Sequence, residues 1–440
     1  MTSLTIHPAA APLQGAVRLS GDKSLSHRAA LFAVLTQGES RIANFLDAGV
    51  TRPLLSALHE LGVPWHLEGD VLHVTGRGLH GLPQPPHPPT LYCGHSATTM
   101  RLLAGFLAAA GMPAVLDGSP GLRRRPMRRI TDPLRRMGVP ISDTDGHAPL
   151  TLHPRPADHP LHGLTHHLAV ASAQVKTALL LAALAADSPT TIVEPGPSRD
   201  HTERLFRAMG LRLEQPAPRT VRLVPPIPAE LPPLRLTLPG DISSAAFLLA
   251  AALVVPGSQI TLQRVLLNPT RTGFLDALQR MGAQVTITPR GETYGEPFGD
   301  ITVAYTPDLH GITVRGDLVV RMVDEFPAFA IVAAAAQGET VVQDAEELRH
   351  KESDRIAAIV SRLQALGVEA QALPDGFRIV GGRPWHGAQL ASGGDHRIAM
   401  AFAVAGLAAQ TPITITDADI ITQSFPTFAS VLQTLGATVT

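Results

Sequence analysis

The stretch "RLSGDKSLSHRAALFAVLTQGES" (Arg18–Ser40) crowds Lys23, Ser24, Ser26, His27 and Arg28 together and then turns small and apolar. A second stretch, "TLPGDISSAAFLLAAALVVPGS" (Thr237–Ser258), has the same skeleton without the cations. Both read as a Gly-Asp turn followed by a helix apolar nearly all round, the pattern of a buried helix. A helix N-terminus presents unpaired N–H groups and a partial positive charge. Polar residues gathered at such an end therefore suit an anion, and the copy that carries cations suits it best.

The two stretches are members of a sixfold series. Helix tails followed by glycine recur as "LHELGV", "LRRMGV", "FRAMGL", "LQRMGA", "LQALGV" and "LQTLGA", with glycines at 62, 138, 210, 282, 367 and 436. Glycine just past a helix adopts the left-handed conformation that ends it. Out of phase with these tails run six polar heads: "GDKSLSHR", "CGHSATTMR", "VASAQVKT", "PGDISSAA", "MVDEFPAF" and "GGDHRIAM". Alternating β-branched strands such as "TTIVEP", "QITLQR", "ETVVQD" and "PITITD" follow them.

Each repeat thus reads as helix, strand, helix, strand, strand, an α/β pattern. Its first helix is buried, and its second, charged on one face, lies outside. The sixth repeat runs out of chain at "GATVT", and the N-terminal "SLTIHP" and "AVRLS" are expected to supply its missing strand. That places residues 1–20 with 240–440, and leaves 21–239 as the other three-repeat domain.

Composition narrows the function. A chain of 440 residues exceeds one ordinary core, and 36 Lys plus Arg against 37 Asp plus Glu leave no global field for nucleic acid or membrane. The apolar stretches are short and broken by Gly or Pro, so none reads as a membrane span. One cysteine excludes an internal disulfide framework, and "MTSLTIHPAAAPLQG" has no secretory pattern, so a cytoplasmic protein is expected. The 19 histidines lack any metal-ligand spacing, so no metal is expected.

The charged heads carry the chemistry. Lys23 and Arg28 suit phosphate or carboxylate, while Ser24 caps or donates. Seven arginines lie between Arg123 and Arg136, mostly a solvated face without aromatics, and Arg125, fixed before Pro126, stands out. "VDEFPAF" sets Asp324 and Glu325 at a helix head, and "ELRHKESDRIAAI" stacks Lys351, Glu352, Asp354 and Arg355 on about one helical turn. "GGDHRIAM" sets Arg397 behind two glycines, and "VASAQVKT" offers Ser172 and Gln174 as neutral donors. Cys93 has no acid–base partner in sequence and reads as a structural thiol. Alone each cluster also has a bland reading as a cap or a surface ion pair; at equivalent places of one repeat they define an anion site.

Together "GDKSLSHR", "RPM", "ASAQVKTALL", "EPGPSRDHTERL", "NPTRTG", "VDEFP", "KESDR", "DHRIAM" and "SFPTF" resemble the 5-enolpyruvylshikimate-3-phosphate (EPSP) synthases, from about residue 15 to 435 and in order. "SAQVKTALLLA" followed by "SRDHTE" is most similar to their class II, glyphosate-tolerant branch. The resemblance implies a two-domain inside-out α/β barrel, three repeats to a domain, with helix N-termini facing the interdomain cleft. It implies transfer of the enolpyruvyl group of phosphoenolpyruvate to the 5-hydroxyl of shikimate 3-phosphate, releasing phosphate through a tetrahedral intermediate. No cofactor is implied, a monomer is the family expectation, and cleft closure would exclude water.

By position, the resemblance implies that Lys23, Ser24, Arg28, Ser172, Ala173, Gln174, Arg199, Asp324 and Lys351 bind shikimate 3-phosphate. Lys23, Ala97, Arg125, Gln174, Arg355 and Arg397 fall to phosphoenolpyruvate. Asp324 matches the base for the 5-hydroxyl, and Glu352 the group that protonates and deprotonates the methylene carbon, with Lys23 beside them. His95, Ser96 and Gln423 depart from the family, which usually has Asn and Ala at the first two and, in the sensitive branch, Lys at the third. Ala97 stands where the sensitive branch has Gly, so its methyl is expected to crowd glyphosate. The rivals are the sister transferase acting on UDP-N-acetylglucosamine, whose arginine-flanked cysteine is absent from "GLRRRPMRR", and an inactive anion-binding scaffold.

Overall fold

The computed structural model describes residues 3–83, 87–156 and 159–440. Two compact units emerge, one of Gly21–Leu238 with Glu292–Glu296, the other of the chain up to Ser20 with Pro239–Gly291 and Pro297–Thr440. Gln284–Thr293 and Glu296–Ala304 are neighbouring long strands of one sheet.

The six buried helices are Lys23–Val34, Ala97–Ala110, Ala173–Ala182, Ile242–Val254, Phe326–Ala335 and His396–Gly406. Every residue of Ile242–Val254 is buried, as its unbroken apolar composition requires. Each fully buried Leu or Phe on these helices stabilises the fold by roughly 1.5–3 kcal/mol. The six tail glycines all have positive φ, from +75° at Gly62 to +105° at Gly436, and each follows an outer helix. Gly105 has a different reason to be glycine. A Cβ there would lie 2.2 Å from the Ala178 carbonyl oxygen, so the Ala97–Ala110 and Ala173–Ala182 helices meet backbone to backbone.

Among the described residues the strands form five four-stranded sheets and one three-stranded sheet. In the second repeat, Thr90–Tyr92 runs parallel to Ala114–Asp117, which pairs antiparallel with His147–Leu152, itself paired with Ile141–Thr144. A short parallel strand therefore precedes each buried helix, and the repeat is βαβαββ. The first and fourth repeats take that leading strand from elsewhere in the chain: Arg235–Thr237 beside Gln37–Ala43, and Gln14–Arg18 beside Gln259–Leu266. The expectation for the N-terminus is corrected here. Ser3–Ile6 completes the sixth repeat by pairing with Ile413–Thr416, but "AVRLS" belongs to the fourth. The second strand leads into the chain crossing after Ser20, so it sits where Arg235–Thr237 sits in the other unit.

Candidate active site

The expected site residues fall into two clusters, one in each unit. In the first unit, Asp22 rather than Ser24 caps the Lys23–Val34 helix, accepting from the Leu25 amide at 2.9 Å. Lys23 is thereby the first helical residue and Ser24 is buried one step inside. Arg28 is buried too. Its Nε donates to Thr202 Oγ1 at 2.9 Å, Nη2 to Thr177 Oγ1 at 2.7 Å and Nη1 to the Ser24 carbonyl at 3.1 Å. Burial pushes the guanidinium down to about 10, against the pull of Glu203 and Asp22, and Arg199 is close enough to add its repulsion.

The Ala173–Ala182 helix places Ser172 at its N-cap and Ala173 and Gln174 in its first turn. Gln174 is fixed at both ends: Oε1 accepts from Arg101 Nη1 at 2.6 Å, and Nε2 donates to Thr98 Oγ1 at 2.9 Å. Arg101 Nη2 donates to the Pro126 carbonyl at 3.1 Å, which ties the segment carrying Arg125 to the same point. Arg101 and Thr98 escaped the sequence reading although both lie inside "GHSATTMR". Ser96 caps the Ala97–Ala110 helix, accepting from the Thr99 amide at 3.1 Å, and Ala97 is buried directly behind it. His95 Nδ1 lies 3.1 Å from Ser119 Oγ. Burial pushes the Cys93 thiol up, so it stays protonated and inert. Of the arginine run, Arg123 pairs with Asp117, and Arg135 with Asp132 and Asp143.

In the second unit, one buried guanidinium organises the cluster. Arg355 Nε donates to Asp395 Oδ2 at 2.8 Å and Nη2 to Glu352 Oε2 at 2.7 Å, while Nη1 lies 3.4 Å from Asp324 Oδ1. Burial opposes the Arg355 charge, yet Asp395, Glu352 and Asp324 overcome it and hold the group above its ordinary range. Arg397, likewise buried and likewise raised by Asp324, meets Asp324 Oδ1 at 2.5 Å. Asp395 caps the last buried helix, accepting from the Arg397 amide at 3.0 Å, and burial's upward push on its carboxyl yields to Arg355. Lys351 Nζ lies 3.7 Å from Glu347.

Two expectations change. Lys351, Glu352 and Asp354 are not on a helical turn: a 3-10 helix ends at His350 and the next helix starts only at Arg355, because Asp354 caps it through the Ala357 amide. Glu325 is not a capping carboxylate either. It is fully buried and accepts from Ser243 Oγ, which also accepts from Arg271 Nη2 at 3.0 Å. This answers why the uncharged copy keeps its polar head: Ser243 of "GDISSAAF" and Arg271 of "NPTRTG" hold a buried carboxylate beside Asp324. Among the described residues no group of His, Cys, Asp or Glu is arranged to hold a metal ion, and no helix is long and apolar enough to cross a membrane.

Five βαβαββ repeats and a sixth with a three-stranded sheet among the described residues, with guanidinium and carboxylate groups at the heads of buried helices, define an α/β transferase of the enolpyruvyl transferase fold. The family model "EPSP synthase (3-phosphoshikimate 1-carboxyvinyltransferase)" matches residues 8–432. The 3-phosphoshikimate 1-carboxyvinyltransferase of Geobacter sulfurreducens is 45% identical over 98% of this chain and 99% of its own. That of Herpetosiphon aurantiacus is 46% identical over 94% and 95%. The structure of EPSP synthase from Acinetobacter baumannii superposes with a TM-score of 0.87 at 37% identity, covering all of both chains. The enolpyruvyl transferase NikO from Streptomyces tendae shares the fold, with a TM-score of 0.77 at 22% identity over 100% of this chain and 98% of its own. The chain is an enzyme and belongs to the EPSP synthase family.

Proposed function

We propose that this protein transfers the enolpyruvyl group of phosphoenolpyruvate to the 5-hydroxyl of shikimate 3-phosphate and releases phosphate, a step of aromatic amino-acid biosynthesis in the cytoplasm. The observation that carries the reading is the cluster of Asp324, Glu352 and Asp395 on the buried Arg355 and Arg397. Two fixed cations suit the anionic donor, and two carboxylates beside them suit the two proton transfers the reaction needs. The curated relatives at 45–46% identity are named for this reaction.

In the addition step the 5-oxygen attacks C2 of phosphoenolpyruvate, its proton passes to Asp324, and Glu352 protonates the methylene carbon. In the elimination step Glu352 takes a proton back from the new methyl group, the C2–O bond to phosphate breaks, and phosphate leaves with the proton held by Asp324. Lys23, Ser24, Arg28, Ser172, Ala173, Gln174, Arg199 and Lys351 bind the sugar-acid phosphate. Arg125, Arg355, Arg397, Gln174 and Lys23 bind phosphoenolpyruvate. The clamp orients both substrates without forming bonds to them, so its contribution is positioning and charge. Phosphorus NMR of the purified protein with both substrates tests the reading. Enolpyruvyl ether plus free phosphate supports it; unchanged substrates beside an active control enzyme overturn it.

The class II assignment and glyphosate tolerance belong to the same proposal. Ala97 is buried in the first turn of its helix; in this reading its methyl lies on the phosphoenolpyruvate side of the site and crowds a longer inhibitor there. Inhibition that strengthens about tenfold or more in Ala97→Gly supports tolerance by crowding; an unchanged inhibition curve removes it.

A further inference from the structure

Lys176 is the only charged residue of the Ala173–Ala182 helix, and it is 1% exposed. Its Nζ lies 2.6 Å from Glu194 Oε2 and 2.6 Å from Glu203 Oε1. Burial opposes the ammonium charge, and Glu203 and Glu194 more than offset it, so the lysine is held charged. Breaking such a group by removing one partner is costly, whereas a well-packed apolar replacement of the whole group is often as stable. Stability alone therefore gives no reason for this triad to be here.

Its position gives one. Glu194 comes directly after the strand Thr190–Val193, and Glu203 lies in the first turn of the next helix, His201–Ala208. Between them runs Pro195-Gly196-Pro197-Ser198-Arg199-Asp200, without regular structure. Ser198 Oγ donates to Glu194 Oε1. Lys176 thus grips the loop at both ends, and Ser198 grips it one residue before Arg199. The next helical residue, Thr177, meets Thr202 Oγ1 at 2.6 Å and accepts from Arg28 Nη2. One helical turn that begins with Ser172 and Gln174 thereby sets the loop of Arg199 and the guanidinium of Arg28.

We propose that Lys176 is a positioning residue for the phosphate-binding side of the site, acting through Glu194, Ser198 and Glu203 on Arg199. This rests on the reading of shikimate 3-phosphate as a substrate. Lys176 touches no substrate; it fixes the distance between the helix head and the loop.

The test is the double variant Lys176→Met, Glu203→Gln, which removes one charge of each sign, with folding followed by circular dichroism. Both Michaelis constants and kcat are measured at saturating partner substrate. The expected result is a KM for shikimate 3-phosphate raised about tenfold or more, with KM for phosphoenolpyruvate within about twofold. Arg199→Ala should add less in that background than in the unaltered enzyme. Should the double variant not fold, Ser198→Ala keeps the buried charges and should raise the same KM by a smaller factor. A folded variant with an unchanged KM for shikimate 3-phosphate, or one whose two KM values rise together, overturns the proposal. If the unaltered enzyme makes no enolpyruvyl ether, the functional reading has failed instead.

Discussion

Glu352 Oε2 accepts from Arg355 Nη2 at 2.7 Å, so the carboxylate read as the carbon acid–base is already engaged by a cation read as a substrate clamp. Glu352→Gln keeps an oxygen for that bond and removes the transferable proton. The expected loss in kcat is about 10²- to 10⁴-fold, with the melting temperature nearly unchanged. Steady-state kinetics together with thermal unfolding check this. A loss of less than tenfold would mean that another group moves the proton.

The reverse change exposes the structural side of the same pair. Arg355→Met leaves Asp395, fully buried, without the guanidinium at 2.8 Å that keeps it ionised. An uncompensated buried charge costs about 3–5 kcal/mol, so urea unfolding should show a midpoint well below that of the unaltered protein. The double substitution Arg355→Met, Asp395→Asn should recover much of that loss without recovering activity. Equal stability of the single and double variants would show that the loss lies elsewhere in the cluster.

The repeat was open to sequence reading because its signals are local. Gly62 through Gly436 mark six helix ends by one backbone conformation, and a buried helix such as Ile242–Val254 declares itself by composition. The partners were not open to it. Ser243 and Glu325 are 82 residues apart, Arg355 and Asp395 are 40 apart, and nothing local in either pair names the other. Arg101 and Lys176 were passed over because a cation inside an apolar helix looks like an interruption until its acceptors, Gln174 and Glu194, are placed beside it. Capping was misread at Ser24 because Asp22 competes for the same amides, and proximity in sequence does not decide between them.

His27 makes stability depend on pH. Its Nδ1 lies 2.8 Å from the Lys23 carbonyl, and its Nε2 2.9 Å from the Val50 carbonyl and 3.2 Å from Ser96 Oγ. Burial pushes the imidazole down to about 4 against its bonds to the Lys23 and Val50 carbonyls, with the Lys23 and Arg28 charges adding to the fall. The folded pKa is thus below the unfolded value, so the unfolded chain binds the proton more readily. The contribution is intact above about pH 6.5 and is lost as pH falls toward 4, by about 3 kcal/mol for this group. Unfolding free energies across that range should decline, and His27→Gln should flatten the decline. An unflattened slope would place the sensitivity in another residue.

His166 is the outlier of the repeat. It sits in the short parallel strand Thr165–His167, opposite Ile192, where the corresponding strands have Leu91 opposite Leu116, Leu236 opposite Ile42, Val314 opposite Val342 and Leu390 opposite Ile415. All these side chains are buried, and His166 is 1% exposed with neither ring nitrogen hydrogen-bonded among the described residues. A buried polar group without a partner costs about 1–3 kcal/mol. His166→Leu restores the pattern of the other sheets with a side chain of similar size, so it should stabilise the protein by about that amount. Since His166 is buried opposite Ile192 and is none of the residues read as binding or catalytic, kcat and both KM values should hold. Chemical denaturation of the variant reads the gain directly. A loss of stability would mean that the imidazole has a hydrogen-bond partner, such as an ordered water, that leucine cannot replace.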